Sequence, residues 1–139
     1  MATTHPIIDK PPLVFVFGSN TAGRHGAGAA RTALKLHGAR TGMNGFQGNS
    51  YGIPTKDAKL RTLPLDIIQK YVNTFIKFAE DNPMMGFQVT KIGCGLAGYS
   101  DYQIAPMFRS SPIQNVFFDT DWKEYLGEQY EYWGSFRNH

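Results

Sequence analysis

Residues 15–30, Phe-Val-Phe-Gly-Ser-Asn-Thr-Ala-Gly-Arg-His-Gly-Ala-Gly-Ala-Ala, constrain the fold more than any other stretch of the chain. Three large apolar side chains in succession predict a buried strand, and the small residues after them predict a turn that opens a helix. Gly18, Gly23, Gly26 and Gly28 carry no Cβ, so an anion can come close to the backbone N–H groups around them. The partial positive charge at a helix start favours phosphate at the same place. A tight strand-to-helix turn without a ligand has the same composition. A second loop, Gly93-Cys94-Gly95-Leu96-Ala97-Gly98-Tyr99, also follows an apolar run. Two such loops, each after an expected strand, turn the reading towards a nucleotide or another phosphorylated ligand.

At 139 residues the chain is expected to form one domain, with a core at about 13–118 and an extension at 119–139. Cys94 is the single cysteine, which excludes an intramolecular disulfide and fits a reducing compartment. No apolar run approaches the roughly 20 residues of a membrane span, and the N-terminus has no signal-peptide core. The expected compartment is the cytoplasm, which for a phage-encoded chain is the host's. No metal site and no cofactor is expected. Charge is unevenly spread: residues 1–61 hold eight Lys/Arg against Asp9 and Asp57, a net +6, which leaves −3 for residues 62–139 of a total of +3. A basic half suits an anionic partner. With no continuous basic run and no recognised nucleic-acid motif, a small anion is favoured over nucleic acid.

Along the chain, 1–12 reads as an irregular lead-in and 13–17 as a central strand buried on both faces. Ala29, Ala30, Ala33, Leu34 and His37 have helical spacing, with Gly38 as the expected C-cap. Residues 41–49 read as a loop and 50–53 as a short strand ended by Pro54, followed by the polar run Thr55–Lys59. Leu63 to Asp81 is the clearest helix. Pro64 suits its first position, Asp66 lies in its first turn, and Leu65, Ile68, Val72, Phe75, Ile76 and Ala79 form one apolar face. Residues 87–92 and 113–118 predict two more strands, with a short helix at 101–108 between them. Strands alternating with helices indicate an α/β domain with a largely parallel sheet, whose ligands bind outside the carboxyl ends of the strands. Residues 119–139 mix five acids with six aromatics and predict a terminal helix docked by its aromatic side, or a homo-oligomer contact or flap over the site.

Asn20 after an apolar strand, Gly26-Ala27-Gly28-Ala29-Ala30 opening a helix and Ile92-Gly93-Cys94-Gly95-Leu96-Ala97-Gly98-Tyr99 in the C-terminal half together resemble a macrodomain, the ADP-ribose-binding α/β/α fold. The resemblance covers about 13–118 and implies a three-layer sandwich around a mostly parallel mixed sheet. A dinucleotide-binding fingerprint fits less well, since no acid follows the first loop by about 20 residues. The nearest similarity is to the branch that removes terminal ADP-ribose from protein carboxylates. In that branch a lysine after a short strand attacks the ribose anomeric carbon, and Ile53-Pro54-Thr55-Lys56 puts Lys56 in the matching place. The branch also carries an aspartate directly after its Gly-Cys-Gly-Leu run, where this chain has Ala97. Asp101 or Asp57 is the available substitute. An adenine-contacting acid precedes the first strand of the family's motif, and Asp9 is the only acid upstream here.

The resemblance thus implies a small-molecule ligand, ADP-ribose or a related NAD-derived nucleotide, including a cyclic or rearranged form. Its phosphates are expected on Gly26, Ala27, Gly28, Ala29 and the Gly93–Gly98 loop, with Gly18, Ser19 and Gly23 also expected to bind the ligand. Asn20 is expected at the distal ribose, or as a turn residue tolerating left-handed backbone. Lys56 is either a ligand contact or a solvated loop lysine. His25 either donates to a phosphate or starts the helix, and Tyr99 packs near the ribose or in the core. Cys94 reads as a small buried residue rather than a reactive thiol. Three functions follow: a hydrolase of ADP-ribosyl bonds using Lys56, Asn20 and Asp101; a non-catalytic binder or sponge of the nucleotide; and an interaction domain whose loops are structural.

Overall fold

The structure, a computed structural model, describes residues 13–135. The expected lead-in at 1–12, the Asp9 position and the last aromatic of the tail, Phe136, lie outside those residues. The domain is α/β, as the alternation of elements predicts. Six strands form one sheet: β1 (Val14–Asn20), β2 (Gly45–Gln47), β3 (Ser50–Lys56), β4 (Phe87–Val89), β5 (Val116–Asp119) and β6 (Glu131–Gly134). Their spatial order is β2-β3-β1-β4-β5-β6. Every neighbouring pair is parallel except β2 with β3, so the sheet is mixed but mostly parallel.

The alternation of β1 builds the three layers, because successive side chains of a strand leave opposite faces. Phe15 and Phe17 meet Ala30, Ala33 and Ala39 on one face, where α1 (Gly28–Leu36) lies. Val14 and Val16 join the larger core on the other face, with Ile68, Val72, Phe75, Ile76 and Ala79 of α2 (Leu65–Asp81). Small residues on α1 let that helix sit close to the sheet; bulky ones on α2 fill a deeper layer with edge-on aromatic pairs. Phe75 alone meets Tyr51, Phe87 and Phe108 in this way.

Several element limits differ from the sequence reading. β3 continues through Pro54 to Lys56, since β2 reaches only as far as Gly52 and the missing N–H of Pro54 leaves no ladder bond unmade. β2 itself lies inside the expected 41–49 loop, short and without periodicity. β4 stops at Val89, where both the amide and the hydroxyl of Thr90 turn to the Val16 carbonyl, at 3.1 and 2.7 Å. The expected 113–118 strand begins only at Val116, and the Asn115 side chain fixes its start by donating to the carbonyls of Ala79 and Asn82 at 3.0 and 3.2 Å. The short helix is α3 (Asp101–Ile104) running into a 3-10 turn, Ala105–Phe108, because Pro106 has no N–H for a further α-helical bond.

The largest correction concerns the tail. Within the described residues, 119–135 is not one helix docked on the body but a 3-10 turn (Thr120–Trp122), the four-residue α4 (Lys123–Leu126) and β6, which extends the sheet beside β5. Gly127 at φ 90° ends α4, and the aromatic residues serve the interior. Trp122 is fully buried, the Tyr130 hydroxyl donates to the carbonyls of Arg109 and Ser111, both at 2.8 Å, and Trp133 Nε1 donates to Val89 O at 2.9 Å. Helical periodicity was never strong in this segment; its aromatics are spaced by the contacts that each makes.

Phe75 tests the deeper layer. It is fully buried and remote from the loops at the carboxyl ends of the strands, so Phe75→Ala is expected to cost about 3–5 kcal/mol. Urea unfolding followed by circular dichroism reads this as a lower midpoint with the same slope.

Candidate functional site

β1 lies between β3 and β4, and the chain passes from β3 through α2 to the opposite side of β1 before forming β4. This reversal makes the carboxyl end of β1 a topological switch point, where the connecting loops diverge and leave a crevice. A cleft of about 610 Å³ opens there. Three loops surround it: the β1–α1 turn, the β3–α2 connection and the loop after β4. The first and third come close together, for a Cβ on Gly18 would stand 3.5 Å from the Gly93 nitrogen.

The β1–α1 turn is built by Asn20 and Gly23. Asn20 Nδ2 donates to Arg24 O at 2.8 Å, and its Oδ1 accepts from Arg24 N at 3.0 Å, closing a ring that reverses the chain. The Asn44 amide secures the same residue by donating to Asn20 O at 2.7 Å. Gly23, at φ +69°, lies so close to the 42–43 segment that a Cβ there would stand 2.4 Å from Met43 N. His25 is buried edge-on against Phe17, its Nδ1 2.8 Å from Ser19 Oγ and its Nε2 2.9 Å from Arg40 O. Both ring nitrogens are thus engaged in holding the loop.

α1 begins with exposed donors. Its N-cap residue is Ala27, which has no side-chain cap, and no acid lies in the first turn. Its first bond, from Arg31 N to Ala27 O at 3.2 Å, leaves the amides of Gly28, Ala29 and Ala30 with no intrahelical partner. In the loop after β4, Cys94, Gly98 and Tyr99 donate to Lys91, Gly95 and Gly93 carbonyls. The amides of Gly95, Leu96 and Ala97 have no backbone acceptor among the described residues.

Gly18, Ser19, Asn20, Gly26, Ala27, Gly28 and Ala29 line the cleft, together with Lys56, Gly93, Cys94, Gly95, Leu96 and Ala97. The fold therefore brings most of the expected positions of both loops around one space. Gly23, His25, Gly98, Tyr99 and Asp101 are not among the lining residues. Tyr99 packs against the deeper core, and its hydroxyl donates to Leu63 O at 2.7 Å. Asp101 lies behind the cleft, accepting from Trp122 Nε1 at 3.1 Å and standing 3.8 Å from Lys91 Nζ. Asp57 is turned to its own loop, where it accepts from Lys59 N, Arg61 N and Arg61 Nε. The backbone N–H of Arg61 is the main influence holding that carboxyl below its ordinary range.

Arg24, Thr55, Leu60, Thr90 and Lys91 also line the cleft and had not been singled out as site residues. Lys91 lies inside the strand expected at 87–92, and it comes to the cleft because β4 ends at Val89. Burial lowers the pKa of Lys91, but its hydrogen bond to Asp121 at 2.8 Å and the charges of Asp101, Asp121 and Asp119 prevail and raise it, so it remains cationic. Lys56 makes no ion pair among the described residues. The lining carries three basic side chains, Arg24, Lys56 and Lys91, and no carboxylate. Such a surface attracts anions, and it has no Asp or Glu to move a proton. Among the described residues, no group of three or more His, Cys, Asp or Glu is arranged to hold a metal ion, and no helix is long and apolar enough to cross a membrane.

Compared with protein-family models, curated proteins and solved structures, the chain matches none.

Cys94 gives a direct check of the geometry around the second loop. Burial, followed by a hydrogen bond to Asp101 and that residue's charge, pushes its thiol from 9.0 up to about 12. At pH 8 the thiolate fraction falls about a thousandfold relative to an ordinary thiol, and alkylation requires the thiolate. Iodoacetamide is therefore expected to label the folded protein on the order of 10³ times more slowly than the urea-unfolded chain, with labelling accelerating as pH rises towards 12. Equal rates at pH 8 would contradict the burial of this side chain.

Proposed function

We propose that this protein is a macrodomain-like binder of ADP-ribose or a related NAD-derived nucleotide. The observation that carries the reading is the convergence of two glycine-rich loops on one basic cleft without a carboxylate. The diphosphate would lie between the free amides at the start of α1 and those of Gly95–Ala97, with the distal ribose beside Asn20 and Lys56. Backbone amides and a helix start bind phosphate without needing a dedicated side chain, which explains how a lining rich in Gly and Ala serves this purpose. The order of the motifs, from Asn20 through Gly26–Ala30 to Ile92–Tyr99, supports the family reading.

Binding has more support than hydrolysis. A lysine nucleophile at Lys56 needs a partner that accepts and returns protons, and the family's aspartate position is Ala97. Asp101 and Asp57 are both committed elsewhere. A protein that holds the nucleotide without cutting it is a reader or sponge of an NAD-derived signal.

Titration calorimetry with ADP-ribose and with inorganic pyrophosphate tests this. Stoichiometric binding of ADP-ribose is expected, with the ligand recovered intact by chromatography. Ligand at 100 times its Kd should raise stability by about 2.7 kcal/mol, which a thermal shift reads. Gly26 and Gly95 have open space around a hypothetical Cβ, so Gly26→Asp and Gly95→Asp are expected to fold. Each places a carboxylate in the cleft and should weaken ADP-ribose by about tenfold or more. No binding of ADP-ribose or pyrophosphate at millimolar concentration would overturn the reading. Release of free ADP-ribose from an ADP-ribosylated protein, abolished by Lys56→Ala, would move it to the hydrolase.

A further inference from the structure

Leu60 is the one non-glycine residue with positive φ among the described residues, at +64°, and it lines the cleft with 54% of its surface exposed. Left-handed backbone is strained for a leucine, and glycine or asparagine would occupy the position more easily. Solvent exposure adds no compensating burial.

The conformation is held from several directions. Leu60 N donates to Asp57 O at 3.0 Å and Asp57 N to Arg61 O at 2.8 Å. The Asp57 carboxylate accepts from Lys59 N and Arg61 N, each at 2.9 Å, and from Arg61 Nε at 2.8 Å. Arg24 reaches over from the β1–α1 turn to donate to Ala58 O. On the other side, Thr62 Oγ1 donates to Ala97 O at 3.0 Å, joining this loop to the one after β4. That bond falls two residues after Leu60 and one after Leu96, which also lines the cleft and is 68% exposed. Two exposed leucines and Ala97 therefore share the stretch of rim where the two loops meet, beside the carboxyl end of β3. Lys56 is tied to the same place by its bridge to Thr62.

We infer that this rim is a contact for a planar ring carried on the distal ribose of the bound nucleotide. The inference rests on the proposed placement of that ribose beside Asn20 and Lys56. The ligand class it names is a diphosphate nucleotide whose distal anomeric carbon bears an N-linked ring instead of a free hydroxyl. An uncharged ring face covers Leu60 and Leu96 and removes their apolar surface from water. A free anomeric hydroxyl would meet the same leucines without that gain. The Lys56 charge disfavours a cationic ring, so a neutral one is preferred. The ring is then the dihydropyridine of a reduced dinucleotide, since the adenine of a cyclised nucleotide, joined to the ribose through N1, is protonated near neutral pH.

The test measures Kd for NADH, NAD⁺, cyclic ADP-ribose, ADP-ribose and pyrophosphate with the intact protein, then with Leu60→Gly and Leu96→Ala. Leu60→Gly suits the backbone at that position, so its melting temperature is expected to stay near that of the parent chain. In the parent protein, NADH should bind about tenfold or more tightly than ADP-ribose, and more tightly than the cationic-ring ligands NAD⁺ and cyclic ADP-ribose. Preference for cyclic ADP-ribose or NAD⁺ over NADH would overturn the neutral-ring inference. In both variants the NADH to ADP-ribose ratio should collapse towards one, while in Leu60→Gly the pyrophosphate affinity shifts far less. Emission of bound NADH should move to the blue in the parent and less so in the variants. ADP-ribose binding as well as or better than every ring-bearing ligand would overturn the inference while leaving the binding function standing, as would a ratio insensitive to both substitutions. Failure of all five ligands would overturn the binding function, and the inference with it.

Discussion

β1 is hydrogen-bonded along both edges, to β3 and to β4, and covered on both faces, so its backbone has no exit except at its ends. A parallel sheet then sends each connection over a face, and the direction of that connection decides where a crevice can open. The chain leaves β1 on the α1 side and later crosses to β4 by way of α2 on the other. The carboxyl end of β1 is thereby left between diverging loops, and the cleft with its unpaired amides follows from that arrangement. Phe15 and Phe17 stabilise one layer and Val14 and Val16 the other, so this strand that creates the crevice is also the one on which both cores depend.

Rigid surroundings make the loops usable. Asn20 spends one amide hydrogen and one lone pair on Arg24, His25 both ring nitrogens on Ser19 and Arg40, and Asp57 its carboxylate on its own loop. These polar side chains look like site residues in the sequence, yet their hydrogen bonds go to the protein. They hold the backbone N–H groups of the loops in place, and binding to groups already held in place costs less ordering than binding to mobile ones.

The sequence carried the strand–turn–helix at 15–30, the long α2 and the second glycine loop because each depends on local spacing. Two runs of large apolar residues and one amphipathic period suffice for those. It did not carry β2, β6 or the limits of β4 and β5, which form only because a neighbouring strand supplies hydrogen-bond partners. Pro54 illustrates the difference: by propensity it ends a strand, and here the shortness of β2 makes its missing N–H harmless. The glycines of both loops were legible as site candidates, whereas Arg24, Thr90, Lys91 and Leu60 join them only through folding. Spacing left Tyr99 open between the ribose and the core, where the fold packs it, and gave no indication that Asp101 lies beside Lys91.

Ala97 and the Lys91–Asp121 pair bear on the same chemical point. With Ala97 in the loop after β4, the cleft lining holds Arg24, Lys56 and Lys91 and no carboxylate, so no lining acid is there to carry a proton. The remaining acids lie outside the lining, where Asp101 and Asp121 keep Lys91 charged and Asp101 helps keep the Cys94 thiol protonated. Basic side chains line the cleft, and acids stand behind it. A site that turned over its ligand would need a group able to change protonation state within reach of the bond to be broken. Of the lining groups, Lys91 is held cationic by the acids beside it and the Cys94 thiol is held protonated by burial and Asp101.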